Sequence, residues 1–160
     1  MIYWFTGQPC AGKTVLANKL KNHLENEVNE KDPNKRYKIY RIDGDDMREL
    51  FSNKDYSEEG RRYNIDVAQK IAHYLHNQGK DVIVSLVSPY LDQREKFKNN
   101  LDYWQVKEIF VHYDKNKEQR GRENYHVENF GTPRGNFIDI DTSIDTPEES
   151  LLKVRKAIKL

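Results

Sequence analysis

Apolar and polar positions along the chain switch between two periods, and the switches mark the elements. Ile2-Tyr3-Trp4-Phe5-Thr6 is a short apolar, aromatic and β-branched run that reads as a buried strand. Val15, Leu16, Leu20, Leu24 and Val28 then fall on one helical stripe with Lys19, Asn22 and Glu25 between them. That helix stops before the polar, proline-bearing Lys31-Asp32-Pro33-Asn34-Lys35. Tyr37 to Ile42 alternates polar and apolar, the period of a second strand, and ends at Asp43-Gly44-Asp45-Asp46. A long helix is predicted over Ser57 to Gln78, with Val67, Ala68, Ile71, Ala72 and Leu75 as its buried face and Gly79 as its stop. Asp81 to Val87 is a nearly continuous apolar run, the mark of a central strand covered on both faces. Ser88-Pro89 opens a shorter helix to Asn99, Val106 to Tyr113 is a fourth strand, and Lys115 to Asn124 is a further helix. His126 to Gly135 reads as a loop, Asn136 to Asp141 as a fifth strand, and Thr146-Pro147-Glu148-Glu149 as a capping box that starts the last helix. Strands alternating with helices in this way predict an α/β fold. Its five-stranded parallel sheet carries helices on both faces, and ligands gather at the carboxyl ends of the strands.

The junction of the first strand and first helix holds the clearest chemistry. Gly7-Gln8-Pro9-Cys10-Ala11-Gly12-Lys13-Thr14 is a complete G-x-x-x-x-G-K-T, with a strand before it and a helix after it. In such a loop backbone N–H groups turn inward around a di- or triphosphate, and the following helix aims its N-terminal dipole at the anion. The expected nucleotide contacts are Gly7 through Thr14 with Val15 beside them; Lys13 reaches the β/γ-phosphates and the Thr14 hydroxyl ligates Mg²⁺. Asp43 and Asp45 at the end of the second strand, and Ser88 beyond the third, converge on the same sheet edge. The second strand is expected beside the phosphate-loop strand. Phosphoryl transfer to a hydroxyl needs a carboxylate for the acceptor, Mg²⁺ across the phosphates, and cations around the transferring group. Asp43 or Asp45 supplies the first, Thr14 with one of those aspartates the second, and Lys13 with Arg48 the third. The third strand lacks the terminal aspartate of motor-type nucleotide hydrolases, which points to a small-molecule kinase.

Composition narrows the partners. The 27 basic and 26 acidic residues leave a net charge of +1, which gives no field for nucleic acid or an anionic membrane. No apolar run reaches membrane-span length, and the single cysteine, Cys10, suits a reducing cytoplasm. His73 and His76 read as a surface pair without a third metal ligand, and the tyrosines show no basic-aromatic interleaving of a single-strand platform. Residues 1–160 read as one domain, with Arg120, Arg122, Arg134 and His126 around a loop able to close over phosphates.

Beyond the phosphate loop the chain resembles adenylylsulfate kinase, which phosphorylates the 3′-hydroxyl of adenosine 5′-phosphosulfate (APS) with MgATP. Ile42-Asp43-Gly44-Asp45-Asp46-Met47-Arg48 is similar to that family's Leu-Asp-Gly-Asp-Asn-x-Arg. Tyr56-Ser57, Arg61, Asn64-Ile65, Val87-Ser88-Pro89-Tyr90 with Arg94, and Glu118-Gln119-Arg120 continue the likeness in order. The resemblance implies that the fold is the three-layer P-loop NTPase fold and that ATP and Mg²⁺ are the cofactors. Asp43 then acts as base or acceptor-positioning group, and Asp45 serves Mg²⁺ or the same role. Arg48, Arg61, Asn64, Ser88 and Pro89 face the acceptor, and Arg120 lies near the ATP adenine. Asn129-Phe130-Gly131 is similar to the family's Asn-Phe-Thr-Gly, whose Phe packs on the substrate base. Departures fall on the acceptor side: Gly60 stands for an Asp, Asp66-Val67 for Arg-Arg, and the residues after Arg120 differ. APS is the expected acceptor and small-molecule partner. Another nucleotide-linked acceptor, a non-enzymatic nucleotide switch and a homodimeric assembly stay open.

Overall fold

The computed structural model describes residues 1–102, 104–114 and 123–158. The strands are β1 (Ile2–Thr6), β2 (Tyr40–Asp43), β3 (Val82–Ser85), β4 (Val106–His112) and β5 (Phe137–Asp141). They form one sheet in the order β2-β3-β1-β4-β5, every neighbouring pair parallel. The helices are α1 (Lys13–Lys31), α2 (Gly44–Leu50), α3 (Glu58–Asn77), α4 (Leu91–Asn100) and α5 (Pro147–Ile158). Alternation along the central β1 divides the interior. Ile2 and Trp4 pack with Val82, Val84, Ala68, Ala72 and Phe97 on the α3 and α4 side. Tyr3 and Phe5 pack with Ile109, Val111, Leu16, Leu20 and Val154 on the α1 and α5 side. Both faces of the sheet are thus covered, as an all-parallel sheet requires.

Four local outcomes differ from the sequence pattern, each for a physical reason. Val15 is exposed, because it stands about 100° round the helix from Leu16; the buried line is Leu16, Ala17, Leu20 and Leu24. β2 starts at Tyr40 rather than Tyr37, since side chains of α1 occupy the preceding backbone. The Asn29 carboxamide accepts from the Tyr37 N–H (2.9 Å) and donates to its carbonyl (3.2 Å), and Glu25 accepts from the Ile39 N–H (2.8 Å). On α3, Asn64 and Gln69 share the fully buried face with Ile65, Ala68 and Ala72, while Val67, Ile71 and Leu75 pack at its margin. β2 does not neighbour β1: β3 lies between them, so the first crossover skips a strand position. The helix expected over Lys115–Asn124 lies mostly outside the described residues, and its last two positions fall in the 3₁₀ turn Glu123–Tyr125. The expected capping box at α5 forms completely. The Thr146 N–H donates to Glu149 at 2.8 Å, and the Glu149 N–H donates to Thr146 Oγ1 at 3.2 Å.

Candidate active site

The phosphate loop is tied to three strand ends. Gly7 has φ 148°, and a Cβ there would run into the Val111 carbonyl, so only glycine passes this close to β4. The Gly7 N–H donates to the Val87 carbonyl (3.3 Å) beyond β3, and Thr142 Oγ1, one residue past β5, donates to the Ala11 carbonyl (3.0 Å). Gly12 closes the loop at φ 95° as the N-cap of α1 with no side-chain cap, leaving first-turn N–H groups directed at the loop interior. Lys13 is buried, and its ammonium donates to the Gln8 carbonyl at 2.7 Å, inside the loop that the motif assigns it to serve.

β2 delivers Asp43 to this loop across β3. The register pairs Asp43 with Ser85, and Ser85 Oγ donates to Asp43 Oδ2 at 2.8 Å. Thr14 Oγ1, on the first turn of α1, donates to the same oxygen at 3.1 Å, and the Asp45 N–H donates to Oδ1 at 3.1 Å. Asp43 is therefore both the N-cap of α2 and the buried carboxylate beside the phosphate loop. Asp45 sits exposed in the first turn of α2. Among the described residues no three His, Cys, Asp or Glu side chains cluster to hold a metal unaided. The hard oxygens of Thr14 and Asp43, already adjacent, suit Mg²⁺ that takes its other ligands from phosphates and water.

After Asp43 in the chain, two cations gather on an aromatic ring. The Arg48 guanidinium lies 4.0 Å from the Tyr56 ring centroid and donates to the carbonyls of Asn53 (3.2 Å) and Asp55 (2.8 Å). Arg61 Nε donates to the Tyr56 carbonyl at 2.8 Å, and Tyr56 packs on Tyr125 with ring centroids 4.7 Å apart. Burial lowers the Arg48 pKa; the negative ends of Tyr56, Asp45 and Asp55 oppose this, while the like charge of Arg61 adds to it. Gly60 is explained here: a Cβ would collide with Asp55, whose backbone and side chain shape the turn before α3. Asn64 is buried on α3. Asp66 pairs with Lys70 at 2.7 Å and lines an open cleft with Arg62, Tyr63 and Gln93.

Ser88 and Pro89 complete the wall. Ser88 holds a left-handed φ of 43°, and its buried Oγ has no hydrogen-bond partner among the described residues. Arg94 fixes this turn. It donates to the Ser88 carbonyl at 2.6 Å and to the Gly131 carbonyl, while buried Glu108 accepts from Arg94 Nε (2.7 Å) and Lys98 Nζ (2.6 Å). Phe130 lies against Phe110 (centroids 5.7 Å apart) with the Arg94 guanidinium 5.5 Å from its ring. Arg120 and Arg122 lie outside the described residues. Sequence reasoning missed Ser85, Thr142, Tyr125 and the Gln8 side chain. Ser85 and Thr142 stand at strand carboxyl ends, a position that flags them; Tyr125 and Gln8 carry no local signal.

A parallel sheet of this strand order, with a Lys-Thr phosphate loop after its central strand and a carboxylate at the next edge, defines a P-loop kinase. A phosphotransferase using ATP follows from that class. The adenylylsulphate kinase family model matches residues 1–155, and the chain belongs to that family. It is 28% identical over 148 residues to an adenylyl-sulfate kinase of Vibrio vulnificus, covering 91% of this chain and 68% of that enzyme. It is 30% identical over 161 residues to the cytidine diphosphoramidate kinase of Campylobacter jejuni, covering 94% of this chain and 84% of that enzyme. The fold matches the Mycobacterium tuberculosis APS kinase in complex with AMPPNP and APS at a TM-score of 0.77, with 18% identity over 98% of this chain and 96% of that one.

Proposed function

We propose that the protein transfers the γ-phosphoryl group of MgATP to the 3′-hydroxyl of APS. The observation that carries this reading is Asp43, whose buried carboxylate accepts from the phosphate-loop Thr14 and, as N-cap, starts the helix that carries Arg48. Two like charges held near enough to repel favour a bound anion, the role a phosphosulfate fills. In the reaction Asp43 takes the hydroxyl proton as the acceptor oxygen bonds to the γ-phosphorus and the bond to the ADP oxygen breaks. Lys13 leaves the Gln8 carbonyl for the phosphates, and the N–H groups of the loop hold the developing charge. Thr14 and Asp43 would hold Mg²⁺, which supplies charge neutralisation across the β- and γ-phosphates. Asp45 supports the site through its backbone N–H at Asp43 and its charge near Arg48. Phe130 and Tyr56 offer faces for the acceptor base, and Ser88 Oγ offers a free buried hydroxyl.

No helix among the described residues is long and apolar enough to cross a membrane. Together with a substrate pair of soluble nucleotides, this supports a cytoplasmic role in sulfate activation.

A second reading keeps the kinase centre and changes the acceptor to a cytidine-linked one. It is favoured by the Campylobacter relative, which is matched over a larger share of both chains than the Vibrio enzyme. ADP release from MgATP with APS, and separately with cytidine nucleotides carrying a phosphoramidate, separates the two. An APS-dependent rate with a 3′-phosphorylated product, identified by mass and phosphorus NMR, supports the first reading. Turnover with the cytidine acceptor alone refutes it.

A further inference from the structure

The Gln8 side chain, in the variable part of the loop, is hydrogen-bonded to a distant segment. Its carboxamide offers the same N–H donor and carbonyl acceptor as a peptide group, and it uses both on one residue. Nε2 donates to the Val127 carbonyl at 2.6 Å, and the Val127 N–H donates to Oε1 at 3.0 Å. This reciprocal pair is partly buried and spans 119 positions of sequence, so it joins the phosphate loop to the segment that carries Phe130. The same segment is fastened at its other end, where the Gly131 N–H donates to the Pro89 carbonyl (2.8 Å) and its carbonyl accepts from Arg94. Gly131 has no room for a Cβ beside Leu91, so that end is fixed. The Gln8 end is the one that can respond, because the Gln8 carbonyl is also where Lys13 rests.

We propose that Gln8 is a positioning residue that couples donor occupancy to the acceptor-side segment 126–131. When phosphates draw the Lys13 ammonium away, the Gln8 peptide loses its charged partner and turns with the loop, and the carboxamide carries Val127 with it. Phosphate binding and the placement of Phe130 then share one free energy, and the effect is reciprocal between donor and acceptor. The inference rests on the donor assignment for Lys13 and is independent of which acceptor is used.

Hydrogen exchange of the purified full chain, read by mass on peptides spanning 126–131, tests it without any acceptor. Gln8→Met keeps the length of the side chain and removes both hydrogen bonds. In the nucleotide-free protein it is expected to speed exchange in 126–131 by about tenfold, with α1 unchanged. Val127→Pro removes the N–H partner from the other side and is expected to raise exchange at the neighbouring positions similarly. Saturating MgAMPPNP is expected to shift exchange of 126–131 in the wild type and to leave it unshifted in Gln8→Met. Equal exchange in wild type and both variants, or the same MgAMPPNP-induced shift in wild type and Gln8→Met, overturns the proposal. Failure of the wild type to bind MgAMPPNP refutes the donor assignment instead, while the nucleotide-free comparison still decides the Gln8 link.

Discussion

The two halves of the site are built on opposite terms. The donor half is backbone: a glycine-bounded loop at the end of the central strand, buried, pinned to β3 by Gly7, to β5 by Thr142 and to β2 through Thr14 and Asp43. The acceptor half is side chain. Arg48, Arg61, Tyr56 and Tyr125 stand on α2, on α3 and on the turns around them, and they hold one another and nearby carbonyls. A loop that binds with N–H groups tolerates almost any side chain at its variable positions, so one motif serves many kinases. A recess that binds with side chains changes its ligand with each substitution. One departure from the family pattern, Gly60, lies against Asp55 in the turn that feeds this side-chain cluster.

The sharpest way to break this contrast is to remove the donor-side ammonium. Lys13→Ala is expected to lower kcat/KM about a thousandfold, as for loss of a transition-state clamp, with steady-state ADP release as the readout. Activity within tenfold of wild type would contradict the donor half. Next in size is the buried support that both acceptor loops share. Arg94→Ala leaves Glu108 with one cationic partner fewer and frees the Ser88 and Gly131 carbonyls, and is expected to cost about 3 kcal/mol in urea unfolding. Arg61→Ala is expected to raise the acceptor KM about tenfold, near 1.4 kcal/mol, with the KM for ATP changing less. An equal rise in both would show that the halves are not separable.

The smallest effect lies away from the site. Burial pushes the Glu25 carboxyl pKa up, but its bonds to Lys21 and the Ile39 N–H hold it below the ordinary value. A depressed folded pKa contributes stability that is present above the unfolded value and is lost as pH falls through the folded one. Thermal unfolding of Glu25→Gln should therefore lose less stability than wild type between neutral pH and pH values below the ordinary carboxylate pKa. Parallel curves would remove Glu25 from the acid response.

Much of this was legible in the chain. The phosphate loop, the alternation of strand and helix, the α5 capping box and the Asp43-to-Arg48 segment all carry their signal locally, in residues whose type is dictated by their own backbone. What was not legible depends on distant chain. The start of β2 is set by Asn29 and Glu25 on α1, and the placing of β3 between β1 and β2 follows from packing rather than from any local pattern. Asp66 drew notice as an acid in place of a cation, and in the structure it pairs with Lys70 one turn along α3. Ser85 reads as an ordinary strand residue until the register sets it against Asp43.

The central claim is that one carboxylate, Asp43, joins the two halves. The most direct test compares MgAMPPNP affinity and acceptor-dependent ADP release in wild type and Asp43→Ala. Turnover is expected to fall by about 10² to 10⁴ while nucleotide still binds, because the loop's N–H groups and Lys13 remain. Acceptor-dependent ADP release within tenfold of wild type would contradict the account.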